Sequence, residues 1–165
     1  MEMNRFALRL VVLLLAVTVH VMGRDPRSLR GIHALRVVVE DLSSAVEQAG
    51  LHRTDIQTDV ELKLRLAGIK VLPEDAQPLS PYLYVNANVH ANVILGQYDS
   101  GRHSYAVDCE LHQYVILARD ESIRTMAATW IVGFAGTSNL QQIRDSIKDL
   151  VDEFINDYLS VNPKK

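Results

Sequence analysis

Tyr82-Leu83-Tyr84-Val85-Asn86-Ala87-Asn88-Val89-His90-Ala91-Asn92-Val93 sets an apolar residue at every odd position and a polar or amphipathic one at every even position. Successive side chains of a strand point to opposite faces, so this period predicts a β-strand buried on its odd face and wetted on its even face. Tyr105 to Ala118 repeats the pattern, with Val107, Cys109, Leu111, Val115 and Leu117 on one side and Asp108, Glu110, His112 and Tyr114 on the other. Asp99-Ser100-Gly101 is the turn between them.

The parity of the two strands constrains their pairing. Both bury odd positions, so paired residues must have an even sum. A three-residue loop at Asp99-Ser100-Gly101 pairs position 98 with 102 and puts Gly101 where a type I turn with a bulge wants φ > 0. That register sets Val89 against Leu111, Ala91 against Cys109, His90 against Glu110 and Asn88 against His112.

Toward the C-terminus, Ile123 to Val132 predicts another strand after a turn at Arg119 to Ser122, with Met126, Ala128, Trp130 and Val132 as its apolar set. Gly133 to Thr137 reads as a connector. Ser138-Asn139-Leu140-Gln141 fits a capping box with Ser138 as the cap. Leu140, Ile143, Ile147, Leu150, Val151, Phe154, Ile155 and Tyr158 then trace one stripe of a helix running to about Leu159. Its acidic residues, Asp145, Asp149, Asp152, Glu153 and Asp157, read as a solvated face.

Toward the N-terminus, Pro73 to Pro81 is a loop, preceded by a short strand from Ile69 to Leu72. Thr54-Asp55-Ile56-Gln57 is a second capping box. It opens a helix with Ile56, Val60, Leu64 and Ala67 on one face, Leu62 and Leu66 on its flank and Gly68 as the left-handed cap. Asp41 to Gly50 is a connector with one helical turn. Leu35, Val37 and Val39 alternate with Arg36, Val38 and Glu40 as a first strand. The sum is an α+β fold: a two-layer sandwich with a mixed, mostly antiparallel sheet and two helices on one of its faces.

Arg5 and Arg9 flank Phe6, Ala7 and Leu8, and an apolar run from Leu10 to Val19 follows, the layout of a secretory signal peptide. Val21-Met22-Gly23 supplies compact residues before a cleavage point at Arg24. From Phe6 to Met22 the stretch is shorter than the ~20 apolar residues of a spanning helix. The expected organisation is a signal over 1–23, an arm over 24–34, one domain over 35–160 and a tail over 161–165. The expected location is the periplasm, without stable membrane insertion after cleavage. Cys109, the only cysteine, stands far from the cleavage point and has no partner for an internal disulfide.

Strand, capped helix ending in Gly68-Ile69-Lys70-Val71-Leu72, long meander and closing helix resemble the small envelope proteins that share a fold with the TolB N-terminal domain and the lipopolysaccharide-assembly protein LptE. The likeness spans about Leu35 to Leu159 and is topological. It departs from LptE in having no cysteine to lipidate at the cleavage point. The resemblance implies a non-catalytic docking module of the bacterial envelope and assigns no catalytic residue.

Net charge is −3, with 17 Lys+Arg scattered among 20 Asp+Glu, so no basic field draws the protein to nucleic acid. No Walker or dinucleotide motif is present, and the glycines at Gly133 and Gly136 make only a weak case for an anion site. Cys109 and His112 have opposite parity, which makes Cys109 a small buried hydrophobe rather than a nucleophile. His33, His52, His90, His103 and His112 lack ligand spacing, so no metal or cofactor is expected. One enzymatic alternative survives, a small hydrolase or metal-dependent centre of His90, Glu110 and His112, which the expected register brings onto one face. The preferred reading is a partner-binding surface on the polar face, made of Tyr82, Tyr84, Asn86, Asn88, His90 and Tyr114. Tyrosine supplies large contact area with a polar tip. The expected partner is an envelope protein or a second copy.

Overall fold

The structure, a computed structural model, describes residues 23–91 and 101–163. The signal-like stretch, Asn92, Val93 and the loop residues Asp99 and Ser100 lie outside the described residues. The fold is α+β. Strands β1 (Ala34–Val39), β2 (Lys70–Val71), β3 (Tyr82–Ala91), β4 (His103–Leu117) and β5 (Asp120–Ser138) form one mixed sheet in the order β2-β1-β3-β4-β5. β1 runs parallel to β2 and β3, while β3, β4 and β5 form an antiparallel meander. Helices α1 (Ser44–Gln48), α2 (Arg53–Leu66) and α3 (Leu140–Val161) complete it, with a 3-10 turn at Pro26–Leu29.

The odd-numbered face is the core. Leu35, Val37 and Val39 of β1, Leu83, Val85, Ala87 and Val89 of β3, and Val107, Cys109 and Leu111 of β4 are buried. Above them lie Ile56, Val60 and Leu64 of α2 and Ile143, Ile147, Leu150, Val151 and Phe154 of α3. Each fully buried Leu or Ile contributes about 1.5–3 kcal/mol. Trp130 joins them edge-on to Phe154, with ring centres 5.2 Å apart, and its Nε1–H donates to Asp157 at 2.9 Å. Leu29 and Ile32, from the stretch read as an arm, are buried in the same cluster. Leu62 and Leu66, on the flank of α2, are exposed.

Cross-links fix the helix layer. Arg144 Nε reaches Asp59 at 2.6 Å and holds that carboxyl below the usual carboxylate range, and Lys63 reaches Asp152 at 2.6 Å. Burial opposes the charge of Asp157. Hydrogen bonds from Arg24 and Trp130 outweigh it, and the carboxyl titrates below its ordinary value. Arg24 also pairs with Glu153. The acidic stripe of α3 is therefore partly a fastening for α2, β5 and the N-terminal segment, not only a solvated face.

Several boundaries differ from the sequence reading. The N-cap of α2 is His52, without a side-chain cap bond, and Thr54 lies inside the helix, its carbonyl taking the Thr58 hydroxyl at 2.8 Å. Gln57 reaches Val37 O instead of a helix-end N–H. The cap of α3 is Asn139, whose side chain accepts from Gln142 N at 2.9 Å, one residue beyond the expected Ser138. At the other end of α2 the expectation holds. Gly68 has φ +86°, and the bonds Gly68 N to Arg65 O and Ile69 N to Leu64 O close a Schellman cap.

The Gly133–Thr137 segment is not a connector. β5 runs through it to Ser138, after a turn that needs only Ala118 and Arg119. Gly133 sits opposite Asp108, and a Cβ there would stand 2.8 Å from Val107 O and 2.9 Å from Asp108 Cβ. The glycine permits close strand approach, so its cue for a loop misleads. With the segment in a strand, the anion-binding helix entry is not formed.

Core and open faces predict opposite responses to charge. Leu111→Asp sets an uncompensated carboxylate where the side chain is 0% exposed, and chemical denaturation should show a loss of more than about 3 kcal/mol or no folded protein. Asn88→Asp, on the exposed face, should change stability by less than ~1 kcal/mol.

Candidate functional site

The helices cover one face of the sheet, and the even positions of β3 and β4 form the other. The register there is Tyr82↔His112, Tyr84↔Glu110, Asn86↔Asp108, Asn88↔Ala106 and His90↔Ser104. The even sum required by the apolar parity is kept. The expected pairs of Val89 with Leu111, Ala91 with Cys109, His90 with Glu110 and Asn88 with His112 are not formed. Ala91 instead pairs with His103, and the register is not the one that a three-residue loop at Asp99-Ser100-Gly101 sets. Gly101 does have φ +66°. Parity restricts a register to alternate solutions, and hairpin length chooses among them.

This register assembles a ring cluster. Tyr82 stacks on His112 with ring centres 4.8 Å apart and planes 9° from parallel, and Tyr84 meets the same imidazole edge-on at 5.9 Å. His112 Nε2 lies 2.7 Å from Glu110 Oε2. On the outer side of Tyr82 the Arg36 guanidinium stands 5.5 Å from the ring centre, a cation–π geometry. Arg36 arrives because β1 pairs in parallel with β3, Arg36 against Tyr82 and Val38 against Tyr84. The two-residue period of Leu35 to Val39 puts Arg36, Val38 and Glu40 on one face, but nothing local names β3 as the neighbour. Arg36 and Glu40 were therefore missed as site residues.

A polar ladder continues the cluster. Asn86 Nδ2 donates to Asp108 at 3.4 Å and Asn88 Nδ2 to Asn86 Oδ1 at 3.2 Å. Burial, reinforced by the Tyr84 hydroxyl's bond to Glu40 and by the charges of Glu40, Asp108 and Glu110, pushes the Tyr84 pKa up to about 12. Partial burial and the negative charges of Glu110 and Glu40 raise the Asp108 carboxyl, against the Asn86 hydrogen bond. Tyr84 and Asn86 thus stand between Glu40, at the end of β1, and Asp108 and Glu110 on β4.

Of the six expected surface residues, Tyr82, Tyr84, Asn86 and Asn88 form a continuous row. His90 is exposed at the far end of β3. Tyr114 is 43% exposed on the same face of β4 but sits opposite Met126, past the end of β3, and no ring contacts it among the described residues. The enzymatic triad is not assembled. Ser104, the partner of His90, is six positions from Glu110 along β4, about 20 Å at the rise of a strand. Only the Glu110–His112 pair forms. Among the described residues no group of three His, Cys, Asp or Glu side chains is placed to hold a metal ion. Cys109 is fully buried beneath the sheet, and burial pushes its thiol up.

Among the described residues no helix is long and apolar enough to cross a membrane. No protein-family model matches the chain, and no curated protein matches it significantly. Among solved structures it is similar to a minor lipoprotein from Acinetobacter baumannii, at 14% identity over 77% of this chain and 93% of that one with a TM-score of 0.37. It is also similar to the rare lipoprotein B from Shewanella oneidensis, at 14% identity over 76% and 91% with a TM-score of 0.28. At these TM-scores neither likeness carries an argument, and neither singles out TolB or LptE.

The raised Asp108 carboxyl sets a sign for pH. A group whose folded pKa lies above its unfolded value contributes stability at low pH and loses it as pH rises through the folded value. At neutral pH the charged Asp108 is therefore a cost to the fold. Asp108→Asn should raise the thermal midpoint at pH 7, and scanning calorimetry should see that gain shrink as pH falls into the range where the native carboxyl is protonated.

Proposed function

We propose that the protein is a non-catalytic docking module of the bacterial envelope, secreted to the periplasm, which binds another envelope protein through the open face of its sheet. The observation that carries this reading is the ring cluster. Tyr82, Tyr84 and His112 are pre-packed against one another and against Arg36 on a face that no helix of the described residues covers. Rigid aromatic groups lose little entropy on contact and are the usual anchors at interface centres. The signal-like sequence before Arg24 supports the envelope location.

Glu40 on one side of Tyr84 and Asn86, and Asp108 and Glu110 on the other, favour a partner that brings cationic groups around an aromatic contact. The role needs no proton transfer or nucleophile from the chain, which fits a buried Cys109 and a His90 remote from His112.

Affinity purification of the tagged protein from bacterial envelopes tests the reading. A partner recovered with the wild type should be lost with Tyr82→Ala/His112→Ala while circular dichroism stays unchanged. Central aromatic anchors are worth ~2 kcal/mol or more, about 30-fold in affinity. Full recovery by the folded double variant contradicts docking on this face.

A further inference from the structure

His112 lies in the middle of the open face, among groups from β1, β3, β4 and β5. From β3, Tyr82 stacks on the imidazole and Tyr84 meets it edge-on. From β4, Glu110 Oε2 lies 2.7 Å from His112 Nε2, Asp108 follows one row further along the same face, and Tyr114 stands on the other side. From β5, Ala128 is the opposite residue, with Met126 and Ile131 in the adjoining rows, and none of the three carries charge. From β1, Arg36 reaches the outer side of Tyr82 and Glu40 accepts the Tyr84 hydroxyl. Among the described residues, these rows thus set one fixed cation against three carboxylates.

An ionised carboxylate only accepts, so the 2.7 Å contact puts the imidazole proton on Nε2 and leaves Nδ1 as the atom that gains a second one. The His112 and Glu110 side chains are 21% and 24% exposed, which opens the pair to solvent protons and to a docking partner alike. With a neutral imidazole, Glu110 keeps its full negative charge beside the rings. With an imidazolium, the same contact becomes an ion pair, and a cation then stands against both Tyr82 and Tyr84. Histidine is the side chain whose charge ordinarily changes between pH 5 and 8. Here that charge belongs to the ring that joins the two tyrosines.

We propose that His112 is the proton switch of the docking surface, releasing a cationic partner when its Nδ1 takes up a proton. The switch presupposes docking on the open face by a partner that brings cations. A neutral imidazole leaves Glu110 to attract the partner's ammonium or guanidinium groups, whereas the imidazolium claims Glu110 for itself and repels those groups from the rings. His90 is exposed at the far end of β3, opposite Ser104, and has no carboxylate of the cluster beside it. Asp108 is the other group whose titration bears on this face, because burial and the charges of Glu110 and Glu40 raise its carboxyl. Variants separate the two.

Nuclear magnetic resonance of the full chain tests this, with acetyl-Lys-Trp-Lys-amide as the probe and acetyl-Gln-Trp-Gln-amide as its uncharged counterpart. The lysine peptide should shift the Tyr82, Tyr84 and His112 ring signals and bind about tenfold tighter at about pH 7.5 than at about pH 5.5, the scale set by excluding one proton from a histidine over that range. The glutamine peptide should show no such ratio. His112→Phe, which keeps a ring but takes up no proton, should bring the lysine peptide's ratio to about one, and Asp108→Asn should leave most of it. Equal binding of the lysine peptide at both pH values overturns the switch and leaves the docking surface standing. So does a ratio that survives in His112→Phe and vanishes in Asp108→Asn. No binding at either pH at millimolar peptide contradicts docking of a cationic partner and removes the switch with it. Should His112→Phe fail to fold, the unmodified chain decides: linkage is reciprocal, so bound lysine peptide must lower the pH at which the His112 ring titrates, and an unmoved titration overturns the proposal.

Discussion

One constraint organises the molecule: the odd positions of β1, of β3 from Leu83 to Val89 and of β4 from Val107 to Leu111 are buried under the helix layer, so the even positions between them are committed to the opposite face. A strand cannot bury one face without presenting the other. The ring cluster, the acidic residues beside it and the Asn86–Asn88 row are thus consequences of the same burial that holds the fold. The β4–β5 bulge keeps this arrangement while β5 adds a residue. Pairing shifts between Leu111 and His112, leaving Thr129 over and letting Trp130 enter the core opposite Leu111. Thr129 is then used locally, taking a hydrogen bond from Gln113 at 2.7 Å.

Much of this was legible in the sequence, and the reason is the period. Strict alternation from Tyr82 onward identified β3, its faces and four of the residues that line the open surface. The stripe of α3 and the glycine cap of α2 were equally readable, because each follows from one element's own geometry. What failed depended on relations between elements. Even parity allowed both the loop-based register and the observed one, so His90 was set against Glu110 when it faces Ser104. Gly133 resembled a loop residue because the need for close approach to Asp108 is invisible without β4.

The candidate site was less legible than the fold for the same reason. Tyr82, Tyr84 and His112 were individually placed on the correct face, but their mutual stacking depends on a register offset that local sequence does not encode. Arg36 and Glu40 enter only through the parallel pairing of β1 with β3, a crossover set by how α2 packs back on the sheet. The capping errors are smaller in scale. At α3 the helix takes Asn139 over its neighbour Ser138, two good caps one residue apart. At α2 it begins at Arg53, whose side chain is drawn to Val39 O.

The β3–β4 register decides which side chains meet on the open face. Nuclear Overhauser contacts between aromatic protons measure it directly. The structure predicts strong contacts between the Tyr82 ring and the His112 imidazole, and between Tyr84 and His112. Contacts joining Asn88 to His112, with none from Tyr82, would place the strands in the alternative register and contradict the surface described here.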